Sequence, residues 1–245
     1  MQEYKQPLFV GAPRNVSCHR TVELITGKLL QLGQFSNDRL LDVGCGNGAF
    51  TIVLGRKFRE VYGIDVQEAC LSHFQESIKG DDRFVISNMS ASVMNFADAY
   101  FDTVVTIETL EHIPDLSGAS LEICRVLKTG GELLLTVPNQ WFPFENHGMH
   151  IGSKPIVGRI PLLPYLPWLH RRWALARVFT VGDLDSLFVA KGLKRVAVDY
   201  AWPTFEHGGN PFQHILKRLY GLMRIMERSP LRMFGSSIIV RYIKE

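Results

Sequence analysis

Apolar and polar positions alternate along this chain with two different periods, and the switches between them mark its elements. Val22, Ile25, Leu29 and Leu32 recur at helical spacing between Cys18 and Leu32, which predicts an amphipathic helix after an irregular arm over residues 1–16. Leu40, Leu41 and Val43 then form the short apolar run of a buried parallel strand. Phe50, Val53, Leu54 and Phe58 put one apolar side on a helix over 49–58. Strands are expected at Glu60 to Asp65, Arg83 to Ser87, Phe101 to Ile107, Glu132 to Val137, Leu193 to Tyr200 and Ser236 to Ile243. Helices are expected at Gln67 to Ile78, Leu116 to Leu127, Val181 to Lys191 and Pro211 to Arg228. Lys128-Thr129-Gly130-Gly131 reads as a turn into the fifth strand, and residues 140–180 as a mostly irregular insertion. Strands alternating with helices imply βαβ crossovers and a parallel sheet covered on both faces.

The first strand runs into Asp42-Val43-Gly44-Cys45-Gly46-Asn47-Gly48. Glycine permits a sharp turn and lets a ligand approach the main chain, and N–H groups left free there would point at the ligand. Gly44-x-Gly46-x-x-Ala49, with Asp65 closing the second strand, also satisfies a dinucleotide fingerprint. On these residues alone the loop suits either a dinucleotide or another nucleoside ligand.

Composition narrows the picture modestly. A chain of 245 residues, 46% hydrophobic and 21% charged, fits a single α/β domain with insertions. Cys18, Cys45, Cys70 and Cys124 lack metal or disulfide spacing, and the opening M-Q-E-Y-K-Q-P lacks a signal-peptide core. The expectation is a reduced, cytoplasmic setting. The net charge of +3 is uneven: residues 151–180 hold five Lys/Arg and no acid, and 211–233 hold five more against Glu227 alone. Two basic, apolar segments on an otherwise mildly acidic body could face an anionic acceptor or a membrane surface, or be plain solvated charge.

Four landmarks in order complete a pattern: L-D-V-G-C-G-N-G at 41–48, V-Y-G-I-D-V at 61–66, F-D-T-V-V-T-I-E-T-L-E-H-I at 101–113, and V-L-K-T-G-G-E-L-L-L-T-V-P-N at 126–139. Together they resemble the class I S-adenosylmethionine-dependent methyltransferases over about residues 35–200 and again at the last strand. The resemblance implies a Rossmann-like α/β fold, a seven-stranded sheet ordered 3-2-1-4-5-7-6 with strand seven antiparallel, and S-adenosylmethionine as cofactor. It also argues against the dinucleotide reading, because dinucleotide dehydrogenases lack an acid two residues before the first glycine and the downstream Glu-His element. Two positions depart from the family: Ser87-Asn88-Met89-Ser90 offers no acid near the adenine, and Thr129 replaces a usual proline.

The same resemblance assigns roles. Gly44, Cys45, Gly46 and Gly48 would border the methionyl part of the cofactor, with Cys45 a small filler rather than a nucleophile. Asp42 would accept from its amino group or orient the loop. Asp65 would take both ribose hydroxyls. Val66, Asn88 and Met89 would lie at the adenine, and Ile107 on the cofactor side of strand four. Glu108, Glu111 and His112 lie where the acceptor should arrive, with His112 the preferred general base and a turn cap the structural alternative. The primary reading includes no metal. A secondary one notes that Glu108-x-x-Glu111-His112 is similar to the metal-binding element of small-RNA 3′-end 2′-O-methyltransferases, with His147 or His150 completing a Mg or Mn site.

W-F-P-F-E-N-H-G-M-H and I-P-L-L-P-Y-L-P-W-L-H-R-R-W make the 140–180 insertion too long and apolar for a plain connection, while Pro161, Pro164 and Pro167 exclude a spanning helix. With 201–233 it reads as an acceptor lid, or as an interfacial element whose Trp168, Trp173, Arg171 and Arg172 meet lipid. The basic helix over 211–228 either packs on its neighbour or continues that surface. The expectation is a methyltransferase acting on a small-molecule or lipid-like acceptor, most simply at oxygen, with peripheral membrane contact through 151–180 and 211–233 and no DNA partner. An RNA 2′-O-methyltransferase or a non-catalytic cofactor-binding subunit are the alternatives, and the sequence does not set the oligomeric state.

Overall fold

The computed structural model describes residues 19–36, 38–151, 154–156, 160–204, 223 and 225–245. The expected arm over 1–16 and most of the basic helix over 211–228, with Phe212, Leu216 and Leu219, lie outside them.

Seven strands form one sheet: β1 (Arg39–Val43), β2 (Glu60–Asp65), β3 (Phe84–Asn88), β4 (Phe101–Ile107), β5 (Leu127–Pro138), β10 (Leu193–Ala201) and β11 (Ser237–Lys244). Their order across the sheet is β3-β2-β1-β4-β5-β11-β10. Counted within the sheet this is 3-2-1-4-5-7-6, and β11 runs antiparallel to both of its neighbours. The β1–β2, β2–β3, β1–β4 and β4–β5 pairs are parallel.

Side-chain alternation divides the core into two faces. Leu41, Val43, Val104, Leu133, Leu135, Ile238 and Val240 pack on one side with Leu116 and Ile123 of α4 (Leu116–Val126) and Leu184 and Phe188 of α6 (Val181–Phe188). Leu40, Val61, Val105, Leu134 and Ile239 pack on the other with Ile25 and Leu29 of α1 (His19–Leu32) and Leu54 of α2 (Thr51–Gly55). A smaller cluster joins Cys45 to Leu71 and Phe74 of α3 (Glu68–Ser77). One residue's shift in register would turn every one of these side chains to the wrong face, so the pattern fixes the pairing.

Three elements differ from expectation. The helix after the glycine loop is only five residues long, Thr51–Gly55, because the preceding residues are used in the turn. Lys128 to Gly131 do not lead into the fifth strand but bulge within it, since Phe101 pairs with Leu127 and Thr103 with Glu132, and Gly130 takes φ 77° at the excursion. The insertion is more ordered than an irregular connection. It holds β6 (Phe144–Glu145), β7 (Met149–Ile151), β8 (Lys154–Ile156), β9 (Ile160–Pro161) and α5 (Pro167–Trp173), with antiparallel β6–β9 and β7–β8 pairs. Pro167 starts α5 at a position where its missing N–H costs nothing. Phe142, Leu163, Leu175 and Phe179 are buried and give the insertion an apolar underside.

Candidate functional site

The strand order reverses between β1 and β4, and open α/β sheets bind ligands beyond the strand ends at such a point. The expected cofactor residues gather there. Gly44 and Gly48 adopt φ 81° and 79°, where an L side chain is strained. A Cβ on Gly44 would lie 2.2 Å from the side chain of Thr109, and one on Gly48 would lie 2.2 Å from the Phe74 ring. Gly46 differs from both: nothing lies within 4 Å of the place its Cβ would take. The turn is therefore packed at its two ends and open at its middle.

The loop's N–H groups do not stay free for a ligand, as the sequence suggested they would. Gly44 and Cys45 donate to the Ile64 carbonyl at 2.8 and 3.0 Å, Gly48 donates to the Cys45 carbonyl at 2.9 Å, and Ala49 donates to Asn47 Oδ1 at 3.3 Å. Gly46 donates to Asp65 Oδ2 at 2.9 Å, while Asp65 Oδ1 accepts from the Gln67 N–H at 2.9 Å. Asp65 thus staples the loop to the tip of β2. What the glycines supply is room rather than donors.

Asp42 is buried beneath this turn. Its Oδ2 accepts from Thr51 Oγ1 at 2.6 Å, and Oδ1 has no hydrogen-bond partner among the described residues. Burial pushes its carboxyl up to about 7, the Thr51 bond opposes that, and the Asp65 charge adds to it. Burial likewise drives the Cys45 thiol upward, with Asp42 and Asp65 reinforcing the shift, so Cys45 is no thiolate. Its side chain instead fills space against Gly63. Val66 and Asn88 are exposed just beyond β2 and at the end of β3, and Ile107 is buried at the end of β4. Met89 packs partly on the core. An unpartnered buried carboxylate oxygen, an open glycine and an acid at the second strand's tip fit a nucleoside that carries an amino-acid tail.

Across the crevice, β4 ends in a strained residue. Glu108 takes φ 51°, its N–H donates to the Thr136 carbonyl at 3.0 Å, and its Oε1 accepts from Thr136 Oγ1 at 3.0 Å. Such a conformation costs about 1–3 kcal/mol and is held only where the surroundings fix it. The following 3-10 turn, Leu110–His112, carries Glu111 into full burial with His112 half-buried beside it. Glu111 Oε1 lies 3.8 Å from His112 Nε2 and 3.9 Å from His147 Nε2. Glu111, His112 and His147 each place a ligand atom within 4.8 Å of the others. His150 and Glu108 are not in this group, so the metal-binding set suggested by the sequence is brought together only in part.

The insertion supplies residues that the sequence left unassigned. Glu145 is fully buried; its Oε1 accepts from the His147 N–H at 2.8 Å and lies 3.2 Å from His147 Nδ1, and its Oε2 lies 2.5 Å from His170 Nε2. Burial alone would raise the Glu145 carboxyl, but the bonds to His147 and His170 outweigh it and hold it at about 2. The E-x-H spacing of Glu145 and His147 was visible, whereas His170 joins them only through α5. The Arg177 N–H also donates to the Glu111 carbonyl at 3.2 Å, which ties the end of the insertion to the same turn.

Residues 41–135 match the family described as Methyltransferase domain. The ubiquinone biosynthesis O-methyltransferase of Alkalilimnicola ehrlichii is 33% identical over 116 residues, which is 44% of this chain and 45% of that protein. The 27-O-demethylrifamycin SV methyltransferase of Amycolatopsis mediterranei is 36% identical over 104 residues, 41% of this chain and 38% of its own length. The chain thus spans less than half the length of these curated relatives. Among solved structures, an S-adenosylmethionine-dependent methyltransferase from Mesorhizobium loti superposes with a TM-score of 0.65 at 17% identity, covering 94% of this chain and 100% of that one. The cyclase SpnF superposes with a TM-score of 0.62 at 17% identity, covering 100% and 88%. Likeness at that identity establishes the fold, and one fold hosts several chemistries.

Proposed function

We propose that this chain, a class I S-adenosylmethionine-dependent methyltransferase by domain and fold, transfers the cofactor's methyl group to a small-molecule or lipid-like acceptor at oxygen. The observation that carries the reading is the open space beside Gly46, whose N–H donates to Asp65, at the point where the strand order reverses between β1 and β4. The matched relatives named as O-methyltransferases support the acceptor atom.

In this reading Asp65 takes the ribose hydroxyls with the lone pairs that Gly46 and Gln67 leave over, and Asp42 Oδ1 receives the amino group of the methionyl tail. Val66 and Asn88 border the adenine. The bound cofactor supplies a methyl group on a positively charged sulfur, whose charge disperses as the new bond forms. The chain's own task is then to hold the acceptor oxygen close, in line and dry. The insertion serves that task as a cover whose outer surface is aromatic and aliphatic: Trp141, Leu162, Tyr165, Leu166 and Trp168 are exposed. Arg171 and Arg172 lie in the same helix as Trp168, so this surface suits an amphipathic acceptor, or the membrane that holds one. No helix among the described residues is long and apolar enough to cross a membrane.

Labelled S-adenosylmethionine incubated with the chain and a lipid extract should yield an extractable methylated product that resists ribonuclease. Product lost on ribonuclease treatment would overturn the small-molecule reading in favour of RNA. Asp65→Ala should weaken cofactor binding by about 1.5–3 kcal/mol, the range for charge-assisted bonds. Calorimetry showing unchanged affinity would remove Asp65 from the site.

A further inference from the structure

We propose that Arg177 is a positioning residue: it braces the turn after β4 so that the rings of His112 and His147 keep a set separation where the acceptor arrives. The turn needs an outside partner. It is a single 3-10 turn, Leu110–His112, whose own main-chain bonds run from the His112 N–H to the Thr109 carbonyl at 2.9 Å and from the Ile113 N–H to the Leu110 carbonyl at 3.4 Å. Hydrogen-bond geometry in such turns is poor, and they stay short. Pro114 follows, lacks an N–H and cannot carry the turn further. Three of the four carbonyls over 111–114 are instead taken by one residue. The Arg177 main-chain N–H donates to Glu111 at 3.2 Å, its Nη1 donates to Ile113, and its Nη2 donates to Pro114 at 3.2 Å.

The side chain suits that task. A guanidinium is planar and always charged, and its rigid fork of N–H groups reaches two carbonyls in a fixed relation that one ammonium does not reproduce. Hydrogen bonds from a charged donor are about twice as strong as neutral ones. Arg177 is also half-buried, where such bonds are electrostatically stronger than in water.

Arg177 is itself set on a fixed ribbon. Ala174, Leu175, Ala176 and Phe179 around it are buried. The Phe179 N–H donates to the Pro138 carbonyl at 2.9 Å, and the Phe179 carbonyl accepts from the Gln140 N–H at 2.9 Å, which laces the ribbon to the end of β5. Two residues before Arg177, the Leu175 N–H donates to the Gly148 carbonyl at 3.2 Å, next to His147. Residues 174–179 therefore hold the turn of His112 through Arg177 and the loop of His147 through Leu175. Between them the two rings stand 81° apart with centroids at 5.2 Å, and their Nε2 atoms lie 3.8 and 3.9 Å from one Glu111 oxygen. Resting on the O-methylation reading, that separation decides where the acceptor hydroxyl sits against the cofactor's methyl group. A displacement of about 1 Å there costs about 100-fold in rate.

The test uses the full, tag-free chain with isotope-labelled histidine rings, together with Arg177→Ala and Arg177→Lys. Nuclear magnetic resonance of the parent should show a through-space contact between the His112 and His147 rings, assigned with His112→Gln and His147→Gln. Arg177→Ala should lose it while the signals of His170, which is held by Glu145, stay in place. Arg177→Lys keeps the charge without the fork and should lose it too. Transfer from labelled S-adenosylmethionine to the lipid extract should fall about 10–100-fold in both variants, with cofactor affinity by calorimetry within twofold of the parent. Methylguanidinium added to Arg177→Ala should restore part of the rate. Circular dichroism checks that each variant is folded. A ring contact that survives in folded Arg177→Ala, an equal disturbance of His170, or a transfer rate equal to the parent's would overturn the proposal. A parent chain that methylates nothing in the extract would remove the O-methylation reading, and the ring contact would then decide this inference by itself.

Discussion

Two regions of the chain hold their carboxylates by different means. In the first, residues 41–65, Asp42 is bonded to the Thr51 hydroxyl and Asp65 to the N–H groups of Gly46 and Gln67. In the second, the insertion, Glu145 is sandwiched between two imidazoles, one of them 25 positions away in the chain. The first arrangement is local: each partner lies within about a strand-turn-helix unit, and the surrounding sheet is apolar on both faces. The second depends on a tertiary contact between β6 and α5. The first region lies within the stretch that matches a known domain, residues 41–135, and the insertion lies beyond it.

If that contrast is right, the largest effect should come from Glu145. Glu145→Ala removes the carboxylate that both His170 and His147 contact, and breaking a buried pair in this way costs about 3–5 kcal/mol. Chemical denaturation should show that loss. Calorimetry with S-adenosylmethionine on the folded fraction should give an affinity within twofold of the parent, because the cofactor half does not use Glu145. A matching loss of cofactor affinity would mean that the two regions are one cooperative unit and would break the comparison.

A smaller but more diagnostic effect belongs to Asp42. Its carboxyl is raised by burial to about 7, against an ordinary value of 3.8. Between those two pH values the unfolded chain gives up the proton while the folded chain keeps it, so stability falls as pH rises through that window and levels off above about 7. The full window is worth up to about 4 kcal/mol. Asp42→Asn keeps an acceptor for Thr51 and removes the titration. The difference in unfolding free energy between parent and variant should therefore shift in the variant's favour from pH 4.5 to pH 7.5. A difference that stays flat with pH would show that Asp42 is not held in a desolvated pocket.

The same contrast governs what could be read in advance. Strands β2 and β4 fall at the residues expected, because their β-branched runs are bounded by turn residues and pair within a continuous parallel sheet. The glycine turn, Asp65 and the Glu111–His112 element were legible because each lies at the end of a strand whose position was already fixed. Periodicity did not give the bulge at Lys128 to Gly131. A Gly-Gly pair reads as a chain reversal, whereas here it lets four residues loop out between two positions of one ladder. The engagement of the loop amides was equally hidden, since it depends on the Ile64 carbonyl of a neighbouring strand. Nor could the sequence show that Glu108 turns away while His147 turns in. The first follows from a left-handed backbone and a bond to Thr136, and the second from Glu145 and His170, which meet only after α5 has folded back.

The smallest effect on stability tests what the insertion is for. Trp168 is 64% exposed at the start of α5, with Arg171 and Arg172 following it on the same helix. An exposed side chain of this kind contributes within about 0.5 kcal/mol to folding, so Trp168→Ala should unfold at nearly the parent midpoint. A ring that leaves water for a lipid boundary gains more than that, on the order of 1.5–3 kcal/mol if fully buried. Cosedimentation with vesicles containing anionic lipid should therefore weaken about tenfold in Trp168→Ala, with partitioning of the parent falling as salt rises because the arginines contribute. Equal partitioning of parent and variant would assign the aromatic surface to packing against the remaining insertion rather than to an amphipathic acceptor. The cofactor half would be untouched by that outcome, since Asp42 and Asp65 are held by Thr51, Gly46 and Gln67 rather than by α5.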